Sequence, residues 1–310
     1  MRALVLAAGL GTRLHPLTLA RAKAAAAVDG EPLARRTVAW LVAHGFTDLV
    51  VNLHHKPQTI TAALGDGRDL GARIRYSWED PVLGSAGGPR HALPLLLDGT
   101  AERTAVVVNG DTLTNVDLAA MIDAHRRSGA LVTMALIPNP RPDKYGGVLL
   151  DSYAAVTGFT RRGSADTSFH FIGPQVIEAD AFMALDDGVP AESVLGLYPK
   201  LMEARPGAVM GFVSDASFHD IGTPADLLQT SLDLAARDGR PDRPRWGGDC
   251  VVDRSARVTR SVLWDRVRIG AGAVIHECVV ADDVTIPAGS NYSRCAIAKG
   301  DAGLVVETLR

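Results

Sequence analysis

The chain has 310 residues, of which 47% are hydrophobic and 22% charged, and its net charge is −3. This length suggests about two domains, and the composition excludes an intrinsically disordered chain. The lack of a basic excess argues against binding to nucleic acid or to an anionic membrane surface. The three cysteines, Cys250, Cys278 and Cys295, form no CxxC pair. They therefore predict a cytoplasmic protein without a zinc knuckle or a disulfide framework.

The first 235 or so residues alternate two patterns, which together predict an α/β fold. Short runs of Val, Leu and Ala predict buried strands at residues 3–7, 49–52, 105–109 and 131–137. Apolar residues at helical spacing predict helices at residues 33–44, 57–64, 90–97 and 116–128. Strands that alternate with helices indicate a mostly parallel sheet with crossover helices.

The pattern changes near residue 238, where prolines and charged residues predict a linker at 238–247 between domains at 1–237 and 248–310. The tripeptide Ser-Val-Leu at 261–263 recurs as Cys-Val-Val at 278–280 and Cys-Ala-Ile at 295–297, 17 residues apart each time. Six-residue steps with an apolar first position are typical of a β-helix. We predict a short left-handed β-helix with Cys278 and Cys295 in its core and glycine at its corners. An ordinary β-hairpin domain is the alternative.

The N-terminal turn carries the strongest functional signal. The sequence Leu-Ala-Ala-Gly-Leu-Gly-Thr-Arg-Leu at residues 6–14 follows the first predicted strand, and Lys23 comes ten residues after Arg13. A glycine-rich turn lets backbone N–H groups face an anion, and two cations beside it favour a polyphosphate. Leu14 stands where a dinucleotide-binding GxGxxG motif needs its third glycine, and no Lys follows Gly11 as in a Walker A loop. These departures argue against a nicotinamide dehydrogenase and a P-loop ATPase.

This segment resembles the sugar-1-phosphate nucleotidyltransferase family, which makes NDP-sugars and pyrophosphate from a nucleoside triphosphate and a sugar 1-phosphate. Four further segments carry the resemblance in the family's order: a base-recognition turn at 83–87, metal-binding segments at 109–111 and 218–224, and a sugar-contacting turn at 145–147. The resemblance covers nearly the whole chain. It implies a Rossmann-like, three-layer nucleotide-diphospho-sugar transferase fold with a mostly parallel sheet. The short β-helix is similar to that of mannose-1-phosphate guanylyltransferase-like members.

The resemblance also implies roles for individual residues. It implies that Arg13, Lys23 and Asp111 are catalytic and that Asp111 and Asp220 hold Mg²⁺, which prefers carboxylates, phosphate oxygens and water. The implied nucleotide-binding residues are Leu6, Ala8, Gly9, Gly11, Thr12, Arg13, Glu79, Gly84, Ser85 and Gly110. The implied sugar-phosphate-binding residues are Gly147, Arg162 and Gly173. A phosphate monoester is mostly a dianion at pH 7, so attack on the α-phosphorus needs charge neutralisation more than a general base.

Two departures from the family pattern concern the loops that would contact the sugar phosphate. Ala22 and Ala24 replace the prolines that usually flank the lysine, which removes a source of loop rigidity. Arg161 and Arg162 stand where the family has Glu and Lys, and Phe-Ile-Gly at 171–173 replaces Asn-Ala-Gly. The sugar pocket is therefore expected to differ from the usual hexose pocket.

The base-recognition turn and the β-helix favour an enzyme that uses GTP and a mannose-1-phosphate-like sugar. The alternatives are a UTP or dTTP enzyme acting on glucose, N-acetylglucosamine, N-acetylmuramate or heptose 1-phosphate, and an inactive paralogue that binds nucleotide sugars. The β-helix is too short for an acyltransferase site. Its exposed coil ends predict a homo-oligomer.

Overall fold

The computed structural model describes residues 1–164 and 167–309, and these form two compact units. The first unit contains residues 1–9, 37–55 and 64–218. The second contains residues 10–36, 56–63 and the chain from 219 onward. The β-helix segment therefore belongs to the same unit as most of the N-terminal signature. Arg310, the end of the predicted C-terminal domain, lies outside the described residues, and the division at 238–247 stays a prediction.

Each predicted strand, and each predicted helix except the one at 90–97, lies within two residues of an observed element. The strands of the first part of the chain are β1 (Arg2–Leu6), β2 (Ala27–Val28), β3 (Glu31–Pro32), β4 (Asp48–Leu53), β5 (Arg73–Trp78), β6 (Thr104–Asn109), β7 (Thr112–Thr114), β8 (Val132–Pro138), β9 (Gly147–Leu150), β10 (Val156–Thr160), β11 (Phe169–Glu178), β12 (Val209–Val213) and β13 (Phe218–Asp220). The helices are α1 (Leu33–Ala43), α2 (Pro57–Leu64), α3 (Gly84–Leu97), α4 (Leu118–Ser128), α5 (Ala179–Met183), α6 (Tyr198–Ala204) and α7 (Pro224–Arg237). Short 3-10 helices lie at Thr12–Leu14, Leu17–Leu19, Lys23–Ala25 and Arg68–Leu70, and a π-helical turn at Ser193–Leu197.

The first unit is built on one mixed sheet, whose strand order is β10-β9-β11-β6-β1-β4-β5, with β8 and β12 joined through β11. The strands β6, β1, β4 and β5 are parallel, and β11 runs antiparallel to β6. Helix α3 packs against β1 and β4, and α4 packs against β8 and β12. Leu4, Val50 and Val107 are fully buried, which explains the uninterrupted apolar runs in the sequence.

Several of the predicted functional residues of this unit lie near the ends of its parallel strands. Strands β1, β4 and β6 end at Leu6, Leu53 and Asn109. Because parallel strands end at the same edge of a sheet, the residues that follow them lie together. In open α/β sheets this edge is the usual place for ligand binding.

The last part of the chain forms the repeating coils that the sequence predicts. Its strands are β14 (Val251–Val252), β15 (Arg257–Thr259), β16 (Val262–Leu263), β17 (Arg268–Ile269), β18 (Val274–His276), β19 (Val279–Val280), β20 (Thr285–Ile286), β21 (Asn291–Ser293), β22 (Cys295–Gly300) and β23 (Gly303–Thr308). Three parallel sheets, β14-β17-β20, β15-β18-β21 and β16-β19-β22, form the coil faces. Val262 pairs with Val279, and Val279 with Ala296, so the 17-residue repeat is the distance from one coil to the next.

Apolar side chains fill the inside of these coils. Ile275, Ile286 and Ile297 are fully buried. Cys278 is buried too, and burial raises the pKa of its thiol to about 11, which fits an unreactive core residue. Cys295 is half-buried.

The coil corners differ from the prediction. Glycine occupies one series of corners, at Gly272 and Gly289. At the other two series of corners, the residues with a left-handed backbone conformation are charged, with φ between 48° and 59°. One series contains Asp249, Arg266 and Asp283, and the other contains Arg260, Glu277 and Arg294. The prediction of glycine at the corners therefore holds for one series, and in another series Arg266 and Asp283 form a cross-coil ion pair at 2.7 Å.

The segment predicted as a linker is tied to the rest of the second unit. The carboxylate of Asp29 is 1% exposed and accepts hydrogen bonds from Arg240 Nη2 and from the backbone N–H of Arg245, both at 2.7 Å. The backbone N–H of Asp29 donates to Ser231 Oγ on α7 at 3.1 Å. A buried charge needs such partners, so Asp29 fixes the start of this segment.

The chain ends in an antiparallel hairpin, in which β23 covers the outer edge of β22. This pairing protects one of the three coil edges at that end from further strand addition. Across the part of the chain that the structure describes, no helix is both long enough and apolar enough to cross a membrane.

Candidate active site

The turn after β1 is held by the side chain of Asn52, near the end of β4. Its Oδ1 atom accepts hydrogen bonds from the backbone N–H groups of Ala7, at 2.5 Å, and Ala8, at 3.2 Å. All three residues are buried. Gly9 is exposed, and a Cβ there would meet no atom within 4 Å. The start of the signature is therefore anchored, and its first glycine faces open space.

Glu79 continues this chain of hydrogen bonds. Its Oε1 atom accepts from Asn52 Nδ2 at 2.6 Å, and its Oε2 atom accepts from the backbone N–H of Leu83 at 2.8 Å. The side chain is only 1% exposed, so these bonds are what makes burial of the carboxylate tolerable. Glu79 thus joins the signature turn to the base-recognition turn. Its direct contact with a nucleotide stays a prediction.

The base-recognition turn forms the beginning of α3, which starts at Gly84 rather than at the predicted residue 90. Gly84 has a φ of 76°, a conformation that favours glycine. Ser85 Oγ donates a hydrogen bond to Glu192 at 2.7 Å. A Cβ on Gly88 would lie 2.6 Å from Glu79 Oε1, so glycine is needed for the helix to approach the buried carboxylate.

Asp111 follows β6 and is half-buried beside two closely packed glycines. The backbone N–H of Gly110 donates to the carbonyl of Leu6 at 2.9 Å. Gly173, in β11, has a φ of 110°, and a Cβ there would lie 2.8 Å from Thr112 Oγ1. The structure therefore brings together four residues that the sequence predicts separately: Leu6, Gly110, Asp111 and Gly173.

The other predicted sugar-phosphate residues lie on β9 and after β10. The backbone N–H of Gly147 donates to Thr160 Oγ1 at 3.1 Å, and a Cβ at residue 147 would collide with Ser168. Arg162 is exposed in the turn between β10 and β11, as is Arg161. The role of Arg162 stays a prediction.

An aromatic cluster in the first unit contains the tyrosine of the sugar-contacting turn. The ring centroids of Tyr145 and His170 are 4.2 Å apart, and those of His170 and Phe218 are 4.9 Å apart. Burial lowers the pKa of His170 to about 4, so its imidazole is neutral at pH 7. This cluster gives the Tyr145 turn an apolar support.

In the second unit, the 3-10 helix Thr12–Leu14 carries Arg13, the arginine of the N-terminal signature. Leu14 is buried, whereas its neighbours Thr12 and Arg13 are exposed. Gly11, which precedes them, has a φ of 64°, and a Cβ there would lie 3.0 Å from Lys23 Cβ. Glycine at this position thus allows the turn to pack closely against Lys23.

Arg13 and Asp220 lie beside the same backbone position. A Cβ on Gly222 would be 3.0 Å from Arg13 Nη1 and 3.2 Å from Asp220 Oδ2. A predicted phosphate-binding cation and a predicted metal-binding carboxylate therefore meet within the second unit, although more than 200 residues separate them in the sequence.

The predicted magnesium ligands are two aspartates, one in each unit. Among residues 1–164 and 167–309, no group of three His, Cys, Asp or Glu side chains is arranged to hold a metal ion. Mg²⁺ commonly takes one or two carboxylates and completes its octahedron with phosphate oxygens and water. Asp111, in the first unit, and Asp220, in the second, are both half-buried, and their role as Mg²⁺ ligands stays a prediction.

Asn52 escapes recognition from sequence alone, because it stands out only as a polar residue near the end of an apolar strand. Its hydrogen bonds to the signature turn and to Glu79 become visible only in three dimensions.

Two family models together match most of the chain. The nucleotidyl transferase model matches residues 2–237, and the GlmU-like C-terminal hexapeptide model matches residues 244–300. The chain is 29% identical to the mannose-1-phosphate guanylyltransferase of Mycobacterium tuberculosis, over 94% of this chain and 83% of that protein.

Two other proteins match about three quarters of the chain. The N-acetylmuramate alpha-1-phosphate uridylyltransferase of Neisseria meningitidis is 34% identical, over 74% of this chain and 96% of that protein. The crystal structure of HddC from Yersinia pseudotuberculosis complexed with GMP-PN has a TM-score of 0.65 at 21% identity, over 75% of this chain and 99% of that one. At this identity the structural match supports the fold alone.

Proposed function

We propose that this chain, which belongs to the nucleotidyl transferase family and is a sugar-1-phosphate nucleotidyltransferase, uses GTP and a mannose-1-phosphate-like sugar. The observation that carries this choice is the similarity to a mannose-1-phosphate guanylyltransferase over 94% of the chain, coils included. The Leu-Gly-Ser-Ala-Gly turn at 83–87 favours the same choice.

The reaction is an attack by the sugar-phosphate oxygen on the α-phosphorus of the triphosphate, with loss of pyrophosphate. The attacking phosphate is mostly a dianion at pH 7 and needs no strong general base. The main requirement is to bring two anions together. We assign Arg13 to the leaving phosphates, Lys23 to the α-phosphate region and Arg162 to the sugar phosphate. The forked guanidinium of arginine suits phosphate oxygens.

Asp111 and Asp220 are proposed to hold Mg²⁺. The ion, when bound, supplies positive charge against the phosphate oxygens. The neighbourhood of Asp111 is closely packed, because a Cβ on Gly110 or Gly173 would lie 2.8 Å from the nearest atom, and this packing supports a fixed position for the backbone on either side of Asp111. Asp220 lies beside Arg13, so its carboxylate would hold the ion near a guanidinium that we assign to phosphate.

A second candidate is a uridylyltransferase acting on N-acetylmuramate 1-phosphate or a related sugar. It is favoured by the 34% identity to the Neisseria meningitidis enzyme, although that match covers 233 residues, 74% of this chain. Arg161 and Phe171 also depart from the usual hexose pattern.

Pyrophosphate release tests both candidates. GTP, UTP, ATP and dTTP are each combined with mannose, glucose, N-acetylglucosamine, N-acetylmuramate and heptose 1-phosphates, with Mg²⁺ or with excess chelator. We expect the highest kcat/KM with GTP and mannose 1-phosphate and no turnover after chelation. A preference for UTP with N-acetylmuramate 1-phosphate supports the second candidate. No pyrophosphate release with any pair contradicts both candidates.

A homo-oligomer in the cytoplasm is part of the same proposal. Strand β23 covers the edge of β22, whereas β14, which begins a different sheet at the other end of the coils, pairs only with β17 among the described residues. Light scattering after gel filtration should give a multiple of 32.7 kDa. A mass equal to the single chain contradicts this proposal.

A further inference from the structure

Residues 21–27 carry Lys23, and the coils of the second unit contact this segment at its first residue. Arg21 Nε donates to Asp282 Oδ2 at 2.6 Å, and Arg21 Nη2 donates to Asp265 Oδ2 at 2.5 Å. The side chains of Arg21 and Asp282 are only 14% and 11% exposed. Two carboxylates from successive coils therefore fix the direction of a largely buried guanidinium.

The other end of the segment is also fixed by a coil. Trp264 Nε1 donates a hydrogen bond to the carbonyl of Ala27 at 3.0 Å, and the Trp264 ring is 1% exposed. The same ring lies 5.3 Å from Arg21 Cζ, within the range of a cation–π contact. Trp264 and Asp265 are neighbours in the chain, so one coil corner contacts both ends of the segment.

The backbone between these two ends has the shape that a proline would impose. Ala22, which replaces a proline of the family pattern, has a φ of −57° and a ψ of 151°, values typical of proline. Its backbone N–H donates to Thr59 Oγ1 at 3.0 Å, a hydrogen bond that proline cannot make. In this chain, non-covalent contacts therefore maintain a conformation that proline would restrict covalently.

We propose that the β-helix coils hold Lys23 in its working position, with Arg21 as the positioning residue that connects them. This inference rests on the proposed function, because it assumes that Lys23 acts on the phosphates. It gives the coils a part in catalysis through the position of Lys23. Breaking the Arg21 ion pairs should lower turnover by moving Lys23, since small displacements of a catalytic group have large effects on rate.

A double-mutant cycle tests this coupling. Arg21→Gln is measured alone and together with Lys23→Ala, using kcat for pyrophosphate release at saturating substrates. In the wild-type background we expect kcat to fall about tenfold. In the Lys23→Ala background, the same change should lower kcat less than about twofold, because the group that Arg21 positions is gone. Equal losses in the two backgrounds would overturn the proposal.

Arg266 and Asp283 supply a matched control. They form an ion pair across the same two coils, at 2.7 Å, but both side chains are about half exposed. Arg266→Gln should leave kcat within about twofold of wild type. A loss equal to that of Arg21→Gln would show a general effect of coil charge and contradict a specific role for Arg21.

Hydrogen exchange keeps the test informative if Arg21→Gln proves unstable. Asp282→Asn is the milder variant, since the asparagine oxygen can keep one of the hydrogen bonds that Arg21 donates to this carboxylate. We expect faster exchange at the backbone amides of residues 22–27 and unchanged exchange in the coils, except at Asp265, whose backbone N–H donates to Asp282 Oδ1 at 3.0 Å. Unchanged exchange at residues 22–27 would overturn the proposal.

The result is separable from the proposed function. A wild-type protein that releases no pyrophosphate contradicts the proposed function, and the exchange experiment still reports whether the coils hold the segment. An active wild type together with a fully active Arg21→Gln variant contradicts the positioning role and leaves the proposed function intact.

Discussion

Asn52 and Glu79 form a buried hydrogen-bonded pair, 2.6 Å between Nδ2 and Oε1, that links two functional turns. Asn52 accepts from the backbone of the signature turn, and Glu79 accepts from the backbone of the base-recognition turn. Two loops that are expected to contact the same nucleotide therefore share one rigid support. Support of this kind keeps binding groups in place before the ligand arrives.

Glu79→Gln should weaken this support. The glutamine amide would place its NH₂ group against a second donor, either Asn52 Nδ2 or the backbone N–H of Leu83. An unsatisfied buried donor lowers the free energy of unfolding by about 1–3 kcal/mol. Urea unfolding should show a loss of that size together with a higher KM for the nucleotide. Glu203→Gln, at an exposed position on α6, is the control and should change neither quantity. A Glu79→Gln variant with wild-type stability would contradict the linking role.

Asp111→Asn tests the proposed metal site. Loss of the negative charge should reduce kcat well over tenfold at saturating substrates, and higher Mg²⁺ concentrations should restore part of the activity. Asp123→Asn on the exposed side of α4 is the matched control. Near-normal turnover of Asp111→Asn would remove this residue from the mechanism.

Gly222→Ala tests the neighbourhood of Arg13 and Asp220. The new methyl group would lie 3.0 Å from Arg13 Nη1, so the guanidinium has to move by a few tenths of an ångström. We expect kcat/KM to fall about three- to tenfold with little change in stability, because the tip of arginine can shift easily. Gly248→Ala is the control, since its nearest atom would be 3.9 Å away. The prediction fails if both alanine variants behave alike.

His170 should make stability depend on pH in the acidic range. Burial lowers the pKa of its imidazole to about 4, whereas the unfolded chain has the ordinary value near 6.5. Between these values the unfolded state binds more protons, so stability is full above about pH 6.5 and decreases as the pH falls towards 4. Because the side chain is only partly buried, we expect a loss of about 1–2 kcal/mol.

His170→Phe isolates this contribution. Phenylalanine can keep the ring contacts with Tyr145 and Phe218 but binds no proton. Urea unfolding at pH 7, 6, 5 and 4 should show a smaller acid loss in the variant than in the wild type. Parallel pH curves for the two proteins would assign the acid sensitivity to other groups.

The sequence predicts the architecture well where a single pattern decides it. The strands at β1, β4, β6 and β8 were expected from buried apolar runs and lie within one or two residues of their predicted bounds. Helix α3 is different, because Gly84 and Pro89 disfavour a helix locally. Its first turn is stabilised by distant partners instead, since the backbone N–H of Ala86 donates to the carbonyl of Ala191 at 2.9 Å.

The residues of the candidate site also divide into those that a local pattern predicts and those that depend on distant partners. Residues that bring chemistry, such as Arg13, Lys23 and Asp111, are recognisable from residue type and local motif. Residues that support them are not, because their partners are far away in the chain. Asn52 contacts a residue 27 positions away, and Arg21 contacts one 261 positions away. No periodicity or motif in a single sequence encodes such pairs.

The charged corners of the coils restrict how this solenoid can change in length. Along one series the signs alternate from Asp249 to Arg266 to Asp283. Duplication of a single 17-residue coil would place two like charges side by side, whereas insertion of two coils would keep the alternation. Growth or loss by pairs of coils is therefore the route that preserves the stacking. The charges at the corners thus favour changes by an even number of coils, in evolution as well as in design.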